Sequence, residues 1–225
     1  MSEFSNILSM TVFSLATAAL STLLITPLAI LVGLFLARVR FYGSTFLEAL
    51  FFLPLVLPPV AVGLMLLSLL APVSLLGAKL QEVGVSILLT WKANVLAQAV
   101  VSFPIYVKSV KQGFLSLPKD LDEAAAIFGI SSLYAFLRIY LPLCAPFIFH
   151  GAILAFTRAL GEFGATVLVA GIIPNKTETL ALGIYSRIMS GHDGPAWLLC
   201  GVSMSLAFLL LLASQVLEKR YLPKH

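Results

Sequence analysis

Arg158 and Glu162 stand four residues apart inside a long apolar stretch, Leu143–Ala170. On a helix that spacing puts both on one face, where a cation and a carboxylate can neutralise each other. Charges deep in a bilayer are costly, and they turn toward a bundle interior or water. Two chemistries fit. One is a structural pair that holds the helix to a neighbour; the other is an arginine that transiently partners an anion in a pathway. Gly161 and Gly164 flank Glu162, and two glycines so close weaken a helix and admit another backbone. Thr166 continues the stripe beyond Glu162, and His150 lies on roughly the same stripe two turns before Arg158.

A second constellation lies in the connection Lys108–Pro142. Ser116-Leu117-Pro118 offers a capping hydroxyl followed by a first-turn proline. Asp120, Asp122 and Glu123 then place negative charge where a helix N-terminus favours it. Ala124-Ala125-Ala126 is strong helix former, and Gly129 ends or bends the helix. Ser131 can cap a second run, Leu133–Tyr140, which Leu141-Pro142 is expected to terminate. The run from Ala124 to Gly129 presents small residues, so another surface can approach its backbone closely. By itself this pattern fits an amphipathic helix on a membrane surface equally well.

Other chemistry finds little support. Cys144 and Cys200 sit in apolar stretches and read as small hydrophobes, and His150, His192 and His225 lack ligand spacing. His192 beside Asp193 has no G-x-S-x-G nucleophile to serve, and the surrounding Gly, Asp and Pro are turn formers. No G-x-x-x-x-G-K-[ST] phosphate loop occurs, so any ATP hydrolysis is expected on a separate chain. The basic residues are scattered rather than striped, which argues against nucleic acid.

These residues need apolar helices to position them. The 225-residue chain is 60% hydrophobic and 11% charged, against about 45–50% and about 25% in soluble domains. A soluble globule and a disordered chain are both excluded. Five stretches are long enough to cross a bilayer: roughly Met10–Ala37, Leu47–Ala71, Ser86–Val107, Leu143–Ala170 and Ala196–Leu217. The expected fold is an all-α integral membrane protein, one transmembrane domain over residues 1–225. The first stretch reads as a span and not as a cleaved leader, since no Lys or Arg precedes Arg38.

Basic residues orient the chain. With the N-terminus outside, nine fall inside (Arg38, Arg40, Lys108, Lys111, Lys119, Arg138, Lys219, Arg220 and Lys224) and three outside (Lys79, Lys176 and Arg187). The connection Lys108–Pro142 is then cytoplasmic, and Phe41–Phe46 is a short inner turn. Pro72–Val85 and Gly171–Pro195 face outward. Span two carries Pro54, Pro58 and Pro59, which predict kinks. In span three, Lys92, Asn94 and Gln98 are expected in a solvated outer position.

Glu123-Ala124-Ala125, three residues, Gly129, nine residues, Ile139, one residue, Leu141-Pro142 resembles the EAA loop of ATP-binding-cassette importer permeases. The resemblance implies a type I importer permease fold, with that loop a coupling helix docked in a groove of the ATP-hydrolysing subunit. The proline run, Ser102-Phe103-Pro104 and Leu160–Thr166 are similar to the molybdate and sulfate branch, closest to the molybdate type. In that branch the last segment lines the translocation path, which makes Arg158, Gly161, Glu162, Gly164, Thr166 and Ser102 path candidates.

The same resemblance implies two permease copies, two ATPase subunits carrying ATP and Mg, and an extracytoplasmic binding protein. No cofactor is implied on this chain. The setting would be a bacterial or archaeal cytoplasmic (inner) membrane, and the cargo a tetrahedral oxyanion moved by alternating access. That cargo is molybdate or tungstate, with a sulfate or thiosulfate permease as the alternative. A secondary transporter would need inverted repeats or more membrane carboxylates, and an intramembrane enzyme would need a nucleophile.

Overall fold

The computed structural model describes residues 2–39, 42–118 and 120–221, with side chains described for these except 2–4, 122, 124 and 217–221. Arg40, Phe41, Lys119, Lys224 and His225 therefore lie outside the described residues, as do the side chains of Asp122, Ala124, Lys219 and Arg220.

Every regular element among the described residues is helical: α1 (Ser2–Arg38), α2 (Ser44–Val56), α3 (Pro59–Leu70), α4 (Leu75–Glu82), α5 (Trp91–Leu115), α6 (Asp120–Ile127), α7 (Ser132–Ala135), α8 (Leu141–Leu160), α9 (Gly164–Ala170), α10 (Leu180–Met189) and α11 (Asp193–Tyr221). A π-helical turn, Phe136–Tyr140, joins α7 to α8 without a gap. Four segments are long and apolar enough to cross a membrane, and the bent pair α2–α3 makes a fifth. This is a multi-pass membrane protein.

Helix α5 is the axis. Its buried residues run from Ala93 to Phe114, and α1 and α8 pack along it. Glycines let the backbones close up: a Cβ on Gly33 of α1 would lie 2.7 Å from Val110, and one on Gly151 of α8 would lie 2.7 Å from Ser109. Packing of this kind drives helix association in lipid, where apolar burial gives no preference for protein over acyl chain. Hydroxyls add short links, with Ser109 Oγ donating to the Phe147 carbonyl (2.8 Å) and Thr26 Oγ1 donating to Tyr106 Oη (3.2 Å).

The prolines do more than kink span two; they break it. Leu57 and Pro58 each precede a proline, which disfavours the α region, and both are extended at ψ 143° and 132°. The two halves meet at 107°. Pro59 then opens α3 at the position where its missing N–H costs least. Span four breaks as well, at Gly161–Phe163, and the two broken spans touch beside their breaks. A Cβ on Gly63 would lie 2.8 Å from Ala165 Cα, and one on Gly164 would lie 2.9 Å from Pro59 Cβ.

Of the boundaries that differ from the sequence expectation, three have a clear local cause. Span three starts at Trp91 rather than Ser86 because Gly84 and Leu89 adopt positive φ and Leu89 N–H donates to the Val169 carbonyl at 2.9 Å. It continues to Leu115, since Lys111 finds Glu48 of α2 at 2.5 Å and the helix has no reason to end at Lys108. Pro142 does not terminate the run before it. The π-helical turn, in which Leu141 N–H bonds the Phe136 carbonyl, widens the helix just ahead of the proline ring and lets it continue into α8.

Candidate functional site

Two regions collect the residues singled out above, at opposite ends of the chemistry. The first is the α6 turn. Helix α6 closes with a Schellman motif: Ile130 N–H donates to the Ala125 carbonyl (2.9 Å), Gly129 N–H donates to the Ala126 carbonyl (3.1 Å), and Gly129 has φ +64°. Apart from its chain neighbours, no atom of the described residues lies within 4 Å of a Cβ placed on Gly129, so the glycine is required by backbone conformation and not by crowding. Ser131 caps the next helix through Tyr134 N–H at 3.4 Å, as its sequence position suggests. Ser116 does not cap α6; its hydroxyl bonds back to the Gly113 carbonyl at 2.8 Å and finishes α5 instead.

The faces of α6 divide in a way the motif alone does not give. Ala125 is buried and joins the main core with Leu117, Leu121 and Ile130. Glu123 is exposed, and Ile127 and Phe128 stand 83% and 79% exposed beside it. Neither of these two large apolar side chains belongs to the spacing of the loop motif. The signal was available: if Leu121 and Ala125 face inward, Ile127 must face out, and an isoleucine–phenylalanine pair before a terminating glycine is unusual on a solvated turn. Ile139 and Leu141 are half-buried, and Ile139 packs on the same core; Pro142 is exposed at the start of α8.

The second region is the break in span four. The helix ends at Leu160, so Arg158 and Glu162 do not share a continuous helical face. They nevertheless pair, Arg158 Nη1 to Glu162 Oε2, at 2.7 Å. The other carboxylate oxygen accepts from Ala165 N–H at 2.7 Å and holds the first turn of α9. Phe163, between them, rests against Tyr185 of α10 with ring centroids 5.0 Å apart. His150 is not part of this group; its Nδ1 faces Ser214 Oγ of α11 at 3.2 Å.

The six path candidates separate by exposure. Gly161 is exposed and Arg158 is partly so, whereas Glu162, Gly164, Thr166 and Ser102 are buried within the single chain. Ser102 Oγ donates to its own helix at Gln98 O (2.7 Å), and Thr166 Oγ1 donates to Phe163 O (2.9 Å).

Asn94 and Gln98 are fully buried rather than solvated. Asn94 Nδ2 donates to the Thr177 carbonyl at 2.9 Å, and Gln98 Nε2 donates to Thr17 Oγ1 at 3.3 Å. Their partners come from distant segments, which periodicity cannot reveal. The segment after α9 is also more than turn chemistry: Thr177 Oγ1 ties Gly171 and Ile173 together, Thr179 caps α10, and Glu178 pairs with Arg187 at 3.0 Å. No group of three potential metal ligands occurs among the described residues.

Comparison with known proteins fits this architecture. The family described as binding-protein-dependent transport system inner membrane component matches residues 29–223. The molybdenum transport system permease protein ModB of Haemophilus influenzae is 39% identical over 209 residues, covering 92% of this chain and 91% of that protein. The sulfate transport system permease protein CysT of Salmonella typhimurium is 34% identical over 192 residues, covering 85% of this chain and 69% of its own. Among solved structures, a bacterial ABC transporter involved in the import of the acidic polysaccharide alginate superposes with a TM-score of 0.75 at 18% identity, over 97% of this chain and 80% of the other.

Proposed function

Because the chain belongs to the binding-protein-dependent transport system inner membrane component family, we propose that it is the membrane subunit of an ATP-driven molybdate importer. The observation that carries the cargo is the end-to-end match to a molybdenum permease, set against the partial overlap with a longer sulfate permease. Tungstate, of like shape and charge, is a second cargo.

Hydrolysis occurs on separate ATPase subunits, which hold ATP and Mg; this chain carries no cofactor. Helix α6 docks on them through Glu123, Ile127, Phe128 and Gly129, while Ala125 secures α6 to the bundle. Because α6 packs on the core formed by α1, α5 and α8, its displacement is passed to all three. The N-terminus faces outside and α6 the cytoplasm, following the distribution of Lys and Arg. A binding protein delivers the anion at the outer end, where α4 and the segment 171–192 lie. Two copies of the chain enclose the path, and Arg158 and Gly161 line it.

The test is reconstitution with the ATPase and the binding protein in lipid vesicles, reading uptake of labelled molybdate. ATP-dependent uptake, competed by tungstate and weakly by sulfate, is expected. Uptake without the ATPase would refute the importer reading, and preference for sulfate would replace the cargo.

A further inference from the structure

We propose that Glu162 is a built-in competitor for the cargo on Arg158, a tethered carboxylate from which an oxyanion must draw the guanidinium and to which the guanidinium then returns. This rests on the oxyanion-importer reading above. Three observations carry it. The Arg158 side chain is 30% exposed while that of its partner Glu162 is 1% exposed, so an anion can approach Arg158 and not Glu162. An arginine carries five N–H donors in a rigid fork that suits a carboxylate or tetrahedral oxyanion edge. Among the described residues Glu162 is the only acceptor bonded to Arg158, at Nη1, and the other donors give an arriving anion a first hold from which it can take Nη1 as well. Finally, Glu162 cannot swing away with the arginine, because its second oxygen is held by Ala165 N–H at 2.7 Å.

The physical consequence is a weak, reversible anion site. A lone arginine in a low-dielectric path would bind a dianion tightly and become a trap. Paired with Glu162 it presents almost no net charge, so the anion gains only the difference between its own bonds and those of the carboxylate. Once the anion is seated, Glu162 remains beside it and repels it. When the anion leaves, the carboxylate is already in place to recapture the guanidinium. Selectivity then stays with the binding protein, and release is fast.

The experiment uses the reconstituted permease–ATPase complex without binding protein and measures equilibrium binding of labelled molybdate. Glu162→Gln keeps an oxygen for Ala165 N–H and removes the charge. Its molybdate affinity should rise about tenfold, the scale of one relieved charge-assisted hydrogen bond, while ATP-driven uptake falls. Adding Arg158→Gln should abolish the gain. Unchanged affinity in an assembled Glu162→Gln complex overturns the proposal. A measurement on the unmodified complex covers the case in which that variant does not assemble: phenylglyoxal modification of Arg158, read by peptide mass spectrometry, should be suppressed by saturating molybdate, and equal modification with and without it also overturns the proposal. A wild-type complex that imports molybdate while either result fails separates the loss of this inference from the loss of the importer reading.

Discussion

Gly63 of α3 and Ala165 of α9 are in backbone contact: a Cβ on the glycine would stand 2.8 Å from Ala165 Cα and 3.0 Å from its carbonyl oxygen. Neither neighbour is a flexible side chain, so nothing can step aside. Gly63→Val should therefore force the broken spans apart and destabilise the fold by about 1–3 kcal/mol, the usual cost of overpacking. Thermal unfolding in detergent checks this, with Gly201→Val as the control, since open space surrounds a Cβ there. Equal melting temperatures for the two variants would remove the crossing from the account of stability.

Gly129 and Gly191 both hold positive φ, +64° and +72°, with no atom of the described residues, chain neighbours apart, within 4 Å of an added Cβ. Alanine at either site meets only backbone strain, about 1 kcal/mol. Their positions differ: Gly129 ends α6 and Gly191 lies in the turn after α10. Gly129→Ala, and more so Gly129→Asp, should lower ATP-driven uptake and co-purification with the ATPase several-fold while the protein still reaches the membrane, whereas Gly191→Ala, at the opposite end, should leave the ATPase bound. Asparagine, which tolerates the left-handed region, should rescue Gly129 in part. Loss of ATPase binding at both sites alike would point to folding and away from docking.

Ile127 and Phe128 bury little in the single chain. Replacing both by serine should leave the melting temperature within the range of ordinary surface changes, about 0.5 kcal/mol. Co-purification with the ATPase subunit should nevertheless drop at least tenfold. If the ATPase stays bound, the docking face lies elsewhere on α6.

Asn94 and Gln98 lie one turn apart, and each leaves its amide oxygen without a partner among the described residues. Their replacements should act in opposite directions. Asn94→Leu strips the buried Thr177 carbonyl of its donor and should cost about 1–3 kcal/mol. Gln98→Leu gives up one long bond, at 3.3 Å, and removes an unpaired oxygen, so it should be neutral or stabilising. Paired melting curves decide, and a Gln98 variant that falls as far as the Asn94 one would contradict the bookkeeping of donors.

Much of this molecule was legible from local sequence because lipid imposes long apolar runs and local punctuation ends them. The proline run predicted a kink in span two, where two consecutive prolines in fact break the helix, and Gly161 with Gly164 marked the weak point at which span four breaks. The pairing of Arg158 with Glu162 followed from spacing, although it closes across a break and not along a turn. What local pattern could not give was everything decided by partners far along the chain. Asn94 looked solvated because it lies near the outer end of its span; it is buried because the Thr177 carbonyl, 83 residues away, accepts its hydrogen. Ser116 looked like a cap for the helix ahead and serves the helix behind, a choice that depends on where α5 stops. Ala125 belonged to a recognisable motif, but only the packing of Leu117 and Ile130 reveals that it faces inward and leaves the outer face to Ile127 and Phe128.

The two consecutive prolines at the α2–α3 joint have a mechanical consequence. Neither Pro58 nor Pro59 has an N–H, so no helical bond spans the joint from those positions, and the chain is already extended there. Tilting α3 against α2 ruptures no bond from those positions and needs only small torsional changes. An intact helix would have to tear its ladder to do the same, in a medium that offers no replacement donor. The joint is a bearing rather than a spring: it can turn without a hydrogen bond being torn there.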